Sequence, residues 1–333
     1  MDGIIMSDKI DFVIPWVDGS DVSWNNEKSL HSPMELNDGT EVRYRDLDNL
    51  KYWFRGVETY APWVNKIYFI TWGHLPQWLN LSHPKLIIVN HQDFIPEKYL
   101  PTFSSHVIEL FLHRIKGLSE KFVYFNDDIF IVNKTTEEDF FKNDLPVDLG
   151  IMDVNVSSDE YFGGAINNSL YIIKKYFSKK NIIRKNIFKW YNLKYGKLLF
   201  KTVLLTPWKQ ITGFYVDHLT NSYLKSTFEN VWEKEHKRLE YTALNKFRDI
   251  RDVNQYVFKF WQLASGNFVP GKKIGRNYNL ALELQEAMSA ITGNTKKIVC
   301  LNDSEEIEDF EKVKKRLNNS FDKKFSSKSK FEI

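Results

Sequence analysis

Ile10-Asp-Phe-Val-Ile-Pro-Trp-Val-Asp-Gly-Ser-Asp21 joins an apolar, β-rich run, Ile10 to Val17, to the turn formers Asp18, Gly19, Ser20 and Asp21. Such a run reads as a buried strand ending in a polar turn, a position where α/β sheets present ligand-binding groups. Short apolar runs recur at Lys66 to Thr71, Lys85 to Asn90 and Lys121 to Phe125, the last stopping at Asn126, Asp127 and Asp128. Between them, Asp46 to Tyr60, with Asp46 as cap and Pro62 as stop, and Ser104 to Lys116 read as helices. Buried strands alternating with helices predict an α/β fold, a mostly parallel Rossmann-like sheet flanked by helices.

Away from this core the pattern is less regular. The mixture of Asn, Ser, Pro and Gly from Ser23 to Thr40 predicts a loop, and Asp144 to Gly163 reads as loops and short strands. Asn167 to Lys201 reads as two basic, aromatic helices outside the sheet, and Asn221 to Lys237 and Asp252 to Leu263 as further helices. Lys297 to Leu301 predicts a strand ending in Asn302, Asp303 and Ser304. The expected organisation is one catalytic domain over residues 1–310, with a basic helical insertion at about 167–209. A terminal helix and frayed tail follow over 311–333.

Composition narrows the function. The 46 Lys and Arg nearly balance 43 Asp and Glu, and a formal charge of +3 argues against a dedicated nucleic-acid binder. Locally the balance breaks: Tyr161 to Val216 contains eleven Lys or Arg and no Asp or Glu, a segment suited to an anionic partner. Cys300 is the only cysteine, which excludes an intramolecular disulfide and a site built on several cysteines and fits a reducing compartment. Met1 to Asp11 lacks the apolar stretch of a signal peptide, and no run approaches a membrane span, so a cytoplasmic protein is expected. A place at the inner face of the plasma membrane is compatible with this.

Three strand ends carry carboxylates: Asp18 and Asp21, Asp127 and Asp128, and Asp303. On one edge of a parallel sheet such oxygens can converge on a divalent cation and a pyrophosphate, although adjacent Asp residues also serve as turn and cap groups. Phosphoryl transfer asks for cations on the phosphate oxygens, an acid-held metal and a base for the attacking hydroxyl. Arg43, Arg45, Arg55 and Arg248 are the cationic candidates, since the guanidinium fork binds two phosphate oxygens. Among eight histidines His218 is chosen as base, with His74, His91, His106 and His113 equally competent by chemistry.

Together these stretches resemble the Stealth family of sugar-phosphate transferases, which includes bacterial capsular and cell-wall polysaccharide phosphotransferases and the animal GlcNAc-1-phosphotransferase. Ile10 to Asp21 matches a first block, and Arg43-Tyr-Arg-Asp46 through Phe125-Asn-Asp-Asp128 a second. His218 through Asp252-Val253 matches a third, and Lys297-Ile-Val-Cys-Leu-Asn-Asp303 a fourth. The resemblance implies a nucleotide-sugar-transferase-like sheet with Asp128, His218, Arg248 and Asp303 as catalytic residues, Asp128 and Asp303 also holding Mg2+ or Mn2+. It implies that Asp18, Arg45, Arg55, Ser105, Glu109 and Asp127 bind or shape the donor pocket.

The activity so implied is transfer of a hexose-1-phosphate or N-acetylhexosamine-1-phosphate from a UDP-sugar to a saccharide hydroxyl. UMP leaves and a phosphodiester forms in a bacterial surface polysaccharide. The partners are a nucleotide-sugar donor and a saccharide acceptor, with a lipid-linked acceptor at the membrane surface as one form. An ordinary glycosyltransferase releasing UDP is the first rival, because the same sheet and carboxylates serve attack at the sugar carbon. A non-catalytic saccharide binder using Trp and Tyr as stacking platforms is the second.

Overall fold

The computed structural model describes residues 9–32, 45–156 and 160–333, so Arg43 lies outside the described residues. The opening stretch forms β1 (Ile10–Pro15), and β2 (Ile67–Thr71), β3 (Leu86–Asn90) and β4 (Lys121–Tyr124) follow where the apolar runs predict them. With β8 (Asn221–Leu224) they make a five-stranded sheet in the order β3-β2-β1-β4-β8. The first four strands are parallel, and β8 runs antiparallel to β4 with Asn221 opposite Tyr124. The parallel α/β expectation therefore holds for this sheet.

Both faces of the sheet are covered, as the alternation of side chains along each strand requires. Phe12, Ile14, Phe69 and Val123 point into one core, which takes the apolar sides of α2 (Leu50–Tyr60), α10 (Leu284–Thr292) and α11 (Phe310–Lys324). Val13, Ile70, Phe122 and Tyr124 point into the other, against α3 (Ser105–Leu110), α8 (Lys225–Ala243) and α9 (Tyr256–Ser265). At Gly56 in α2 a Cβ would stand 2.3 Å from the Ile131 carbonyl oxygen, so the helix can approach that backbone only without a side chain. Gly56→Ala is expected to destabilise the protein by about 1–3 kcal/mol through overpacking, against the gain a helix interior normally shows for this change. Urea unfolding checks it.

After Asp128 the chain leaves the main sheet. β5 (Ile129–Ile131) joins β10 (Gly275–Asn279) and β11 (Ile298–Asn302) in a second sheet, in the order β10-β11-β5. A third, small sheet holds β6 (Phe141–Lys142), β7 (Leu145–Asp148) and β9 (Val269–Pro270). The basic segment folds as α4 (Tyr161–Tyr176), α5 (Lys179–Lys185), α6 (Ile187–Trp190) and α7 (Leu199–Leu205).

Several expectations are corrected. Val22–His31 is a helix, α1, capped by Asp21, where a loop was expected from Ser23. Asp46 does not cap α2: the helix starts at Leu50, and Asp46 accepts the Asp48 backbone N–H. Asn221 to Leu224 is a strand, because its Asn and Tyr side chains find partners beneath the sheet that local helix propensity cannot register. The strand before Asp303 belongs to the second sheet, so it does not share the edge of β1 and β4. The terminus does not fray: Asn80 N–H and Trp78 C=O bond the backbone of Phe331 and Ile333, and Phe331 is buried.

Candidate active site

The parallel strands send the ends of β1, β2 and β4 to one edge. Because β8 is antiparallel, its beginning reaches the same edge, and this brings His218 beside Asp128. His218 Nε2 lies 3.9 Å from Asp128 Oδ2 and 2.7 Å from the Asn126 amide. The next residue back, Asp217, is fixed by Lys273 at 2.9 Å and by the Tyr256 hydroxyl, which donates to its carbonyl. The imidazole is thus held from both sides.

Asp128 sits at the crossover between the two sheets. Its carbonyl accepts the Leu301 N–H, and its Oδ2 accepts the Cys300 thiol at 3.2 Å. Burial, with the Asp128 charge second, pushes the Cys300 thiol far up, so it stays protonated and donates. Asp128 Oδ1 is buried and has no hydrogen-bond partner among the described residues. An orphaned carboxylate oxygen of this kind calls for a cation or a further donor.

Asp127 is exposed to solvent, with protein groups packed closely around it. Desolvation first, and the Asp128 charge second, push its carboxyl up to about 7, with Asp46 adding to the effect and His218 opposing it. Asp46 in turn feels Asp18, although desolvation is the main cause of its own raised pKa. Asp18, Asp46, Asp127 and Asp128 are therefore close enough to interact electrostatically. Asp46 is the functional candidate that a reading as helix cap conceals, and its place in the Arg43-Tyr-Arg-Asp46 block was the signal for it.

The other expected residues divide. Asp18 accepts the Ser20 N–H and hydroxyl, and its own N–H donates to His74 Nε2, so the turn after β1 is locked by its own side chains. Arg248 donates to the Ser105 hydroxyl at 2.7 Å, on a loop tied down by buried Asp252, which holds Asn245, the Asp249 N–H and His106. Arg45 grips both oxygens of Asp303, at 2.8 and 3.0 Å, and reaches the Ser304 carbonyl. That grip occupies the Asp303 carboxylate, and the residue is not among the grouped ligand atoms.

Two expected donor-pocket residues have other roles. Arg55 forms a two-pronged pair with Glu332, at 2.7 and 2.8 Å, and donates to the Phe325 carbonyl, leaving no fork for a phosphate. Glu109 is buried and accepts from the Gln255 N–H and the Tyr124 hydroxyl. Gln255 in turn accepts from Asn221 and Tyr223, so Glu109 supports the strand that follows His218. Among the alternative histidines, His91, His106 and His113 are packing residues. Burial drives His91 and His113 down to about 4.

Among the described residues, Asp128, His218 and Cys300 place one ligand atom each within 4.8 Å of one another. The thiol is held protonated and the imidazole faces Asn126, so the oxygen donors are what a hard ion finds here: Asp128 Oδ1 and the adjacent Asp127. These fit Mg2+ or Mn2+. A cleft of about 410 Å3 lies beside the third sheet and is lined by Lys142, Lys194, Lys272, Lys273, Lys296 and Lys297, with Glu138 and Asp139. It adjoins a narrower recess of about 60 Å3 that reaches Asp217, the neighbour of His218.

Sequence relatives agree with this architecture. The model described as Stealth protein CR2, conserved region 2, matches residues 43–147. The chain is 45% identical to the capsular polysaccharide phosphotransferase WcwK of Streptococcus pneumoniae, over 98% of each chain. It is 40% identical to the receptor polysaccharide phosphotransferase WefC of Streptococcus gordonii, over 98% of this chain and 100% of that one. It is 36% identical to the exopolysaccharide phosphotransferase cps2G of Lactiplantibacillus plantarum, over 97% and 96%. Among solved structures, galactosyltransferase LgtC with donor and acceptor sugar analogues covers 93% of this chain and 95% of its own, at 9% identity and a TM-score of 0.41. An α/β sheet with carboxylates and an imidazole at one edge, in a chain with such relatives, defines a phosphotransferase. The chain belongs to the Stealth family.

Proposed function

We propose that this enzyme transfers a hexose-1-phosphate or N-acetylhexosamine-1-phosphate from a UDP-sugar to a saccharide hydroxyl of a bacterial surface polysaccharide, in the cytoplasm. The observation that carries the reading is the pairing of His218 with Asp128, whose inner oxygen is orphaned at the sheet edge. The names of the relatives, capsular, receptor and exopolysaccharide phosphotransferases, support the substrate class. The His218 imidazole takes the proton of the acceptor hydroxyl, which displaces the Asn126 amide from it. The hydroxyl oxygen bonds to the phosphorus that bears the sugar, the bond from that phosphorus to the bridging oxygen breaks, and UMP leaves with the electron pair.

Arg248, positioned through Ser105, balances charge on the phosphoryl oxygens. Asp128, with Asp127 beside it, would hold Mg2+ or Mn2+, which would neutralise charge at the diphosphate. Arg45 and Asp303 fix the segment that lines the site from the second sheet's side. The sugar's own C–O bond stays intact. Identifying the released nucleotide, with phosphorus NMR of the product, tests the reading: UMP and a phosphodiester resonance are expected, and UDP with no such resonance makes it an ordinary glycosyltransferase.

The acceptor's anionic part is placed in the lysine-lined cleft, because each completed transfer adds a negative phosphodiester to the chain that must return. Lys272 and Lys296 have no carboxylate partner among the described residues, whereas Lys297 is paired with Asp139 and Lys273 with Asp217. Lys272→Glu/Lys296→Glu is expected to raise KM for a phosphodiester-bearing acceptor about tenfold and to leave kcat nearly unchanged. Steady-state kinetics with charged and neutral acceptors of equal length check it.

A further inference from the structure

One helix of the basic segment is inside out. In α7, Thr202 is 1% exposed and accepts the Met152 N–H, whereas Phe200, Val203 and Leu204 are 63%, 47% and 56% exposed. Positions 200, 203 and 204 share one helical face, so the apolar stripe that normally seeks a core is turned to solvent. Phe188, Leu193 and Trp208 are exposed as well. A protein does not maintain such an apolar surface without a partner for it.

The segment that carries the face is a built unit. The buried Lys179 ammonium donates to the carbonyls of Leu205 and Trp208, and the Tyr191 hydroxyl bonds that of Thr206 at 2.7 Å. These contacts tie α5 and the loop after α6 to the far end of α7. In the same segment, Lys180, Arg184, Lys185, Lys197 and Lys209 are exposed and carry no carboxylate partner among the described residues. From Tyr161 to Val216 there are eleven basic residues and no acidic one.

We propose that this surface, α7 with its flanking loops, docks the enzyme on a membrane leaflet containing anionic lipid. Charge decides the occupant. A second copy seated on the same face would bring two basic rims together, since a two-fold interface presents the same patch from both sides, and the acids that meet the segment, Asp153 and Glu235, are already paired with Lys201 and Lys175. A bilayer surface offers apolar depth for Phe200, Leu204 and Trp208 and negative headgroups for the lysines. No helix among the described residues is long and apolar enough to cross a membrane, so attachment is by this face lying in the interface. Lys194, next to exposed Leu193, also lines the lysine cleft, so the docked face and the cleft adjoin.

The test uses the full chain and vesicles of phosphatidylcholine, with or without phosphatidylglycerol, in a sedimentation assay. The protein is expected to pellet with phosphatidylglycerol vesicles and to remain largely in solution with phosphatidylcholine alone. Phe200→Ser/Leu204→Ser/Trp208→Ser is expected to lower partitioning at least about tenfold, with an unchanged melting temperature because all three side chains are exposed. Lys197→Glu/Lys209→Glu is expected to lower it comparably and to weaken its salt dependence. Wild-type protein that stays in the supernatant with anionic vesicles, or apolar variants that bind as wild type, would overturn the proposal. So would a solution dimer abolished by the serine variant, which would make the face a self-interface. Transfer to a short soluble acceptor is expected to be unaffected by either variant, which keeps this test separate from that of the chemistry.

Discussion

His218→Ala is expected to lower kcat by about a thousandfold, the range a positioned general base contributes, while KM for the donor changes little. The imidazole is partly exposed and its hydrogen-bond contact is with Asn126, so its removal leaves no buried group stranded and the fold is retained. Asp128→Asn gives a loss of similar order by a different route. The amide keeps the shape and can still accept from Cys300, yet it loses the charge that both His218 and a divalent cation would meet. The two losses are not additive, since each group works only in the presence of the other. Single-turnover nucleotide release, with circular dichroism to verify folding, checks all three variants. Turnover retained in either single variant removes the assignment.

Arg55→Ala has the largest expected effect on stability, about 3–5 kcal/mol. Arg55 and Glu332 side chains are only 10% and 4% exposed, so truncating the arginine leaves a carboxylate buried without its partner. The same change releases the Phe325 carbonyl and frees the terminal segment from α2. Urea denaturation measures the loss, and Arg55→Met/Glu332→Leu is expected to recover much of it, because an apolar pair of similar size removes the unpaired charge. Activity per folded molecule should stay near wild type. A raised donor KM in the folded fraction would instead return Arg55 to the phosphate-binding role that the sequence had implied.

The distinction between Arg55 and Arg248 shows where sequence reasoning stops. Both are arginines in blocks that resemble the family, Arg248 expected as a catalytic residue and Arg55 in the donor pocket. Arg248 meets the Ser105 hydroxyl at the start of α3, whereas Arg55 meets a carboxylate 277 residues away at the chain terminus. Nothing local to Arg55 announces Glu332. Asp46 errs in the opposite direction: its sequence position before a helix reads as a cap, and its electrostatic neighbours are Asp18 and Asp127. Strand β8 was read as helix for the same reason, since Asn221 and Tyr223 are committed by Gln255, which lies in a distant loop.

Local sequence determined the parallel core: apolar runs of five or six residues ended by Asp, Asn and Gly leave few alternatives to buried strands with ligand-bearing ends. The ordered blocks also determined the family, because motif identity does not depend on how distant segments pack. Tertiary structure alone decided that β8 runs backwards, which brings His218 to Asp128, and that Asp303 faces Arg45. It alone decided that α7 turns Phe200 and Leu204 outward. The physical reason is common to all three: each depends on which remote surface is left for a segment to cover, and that follows from the assembled sheets.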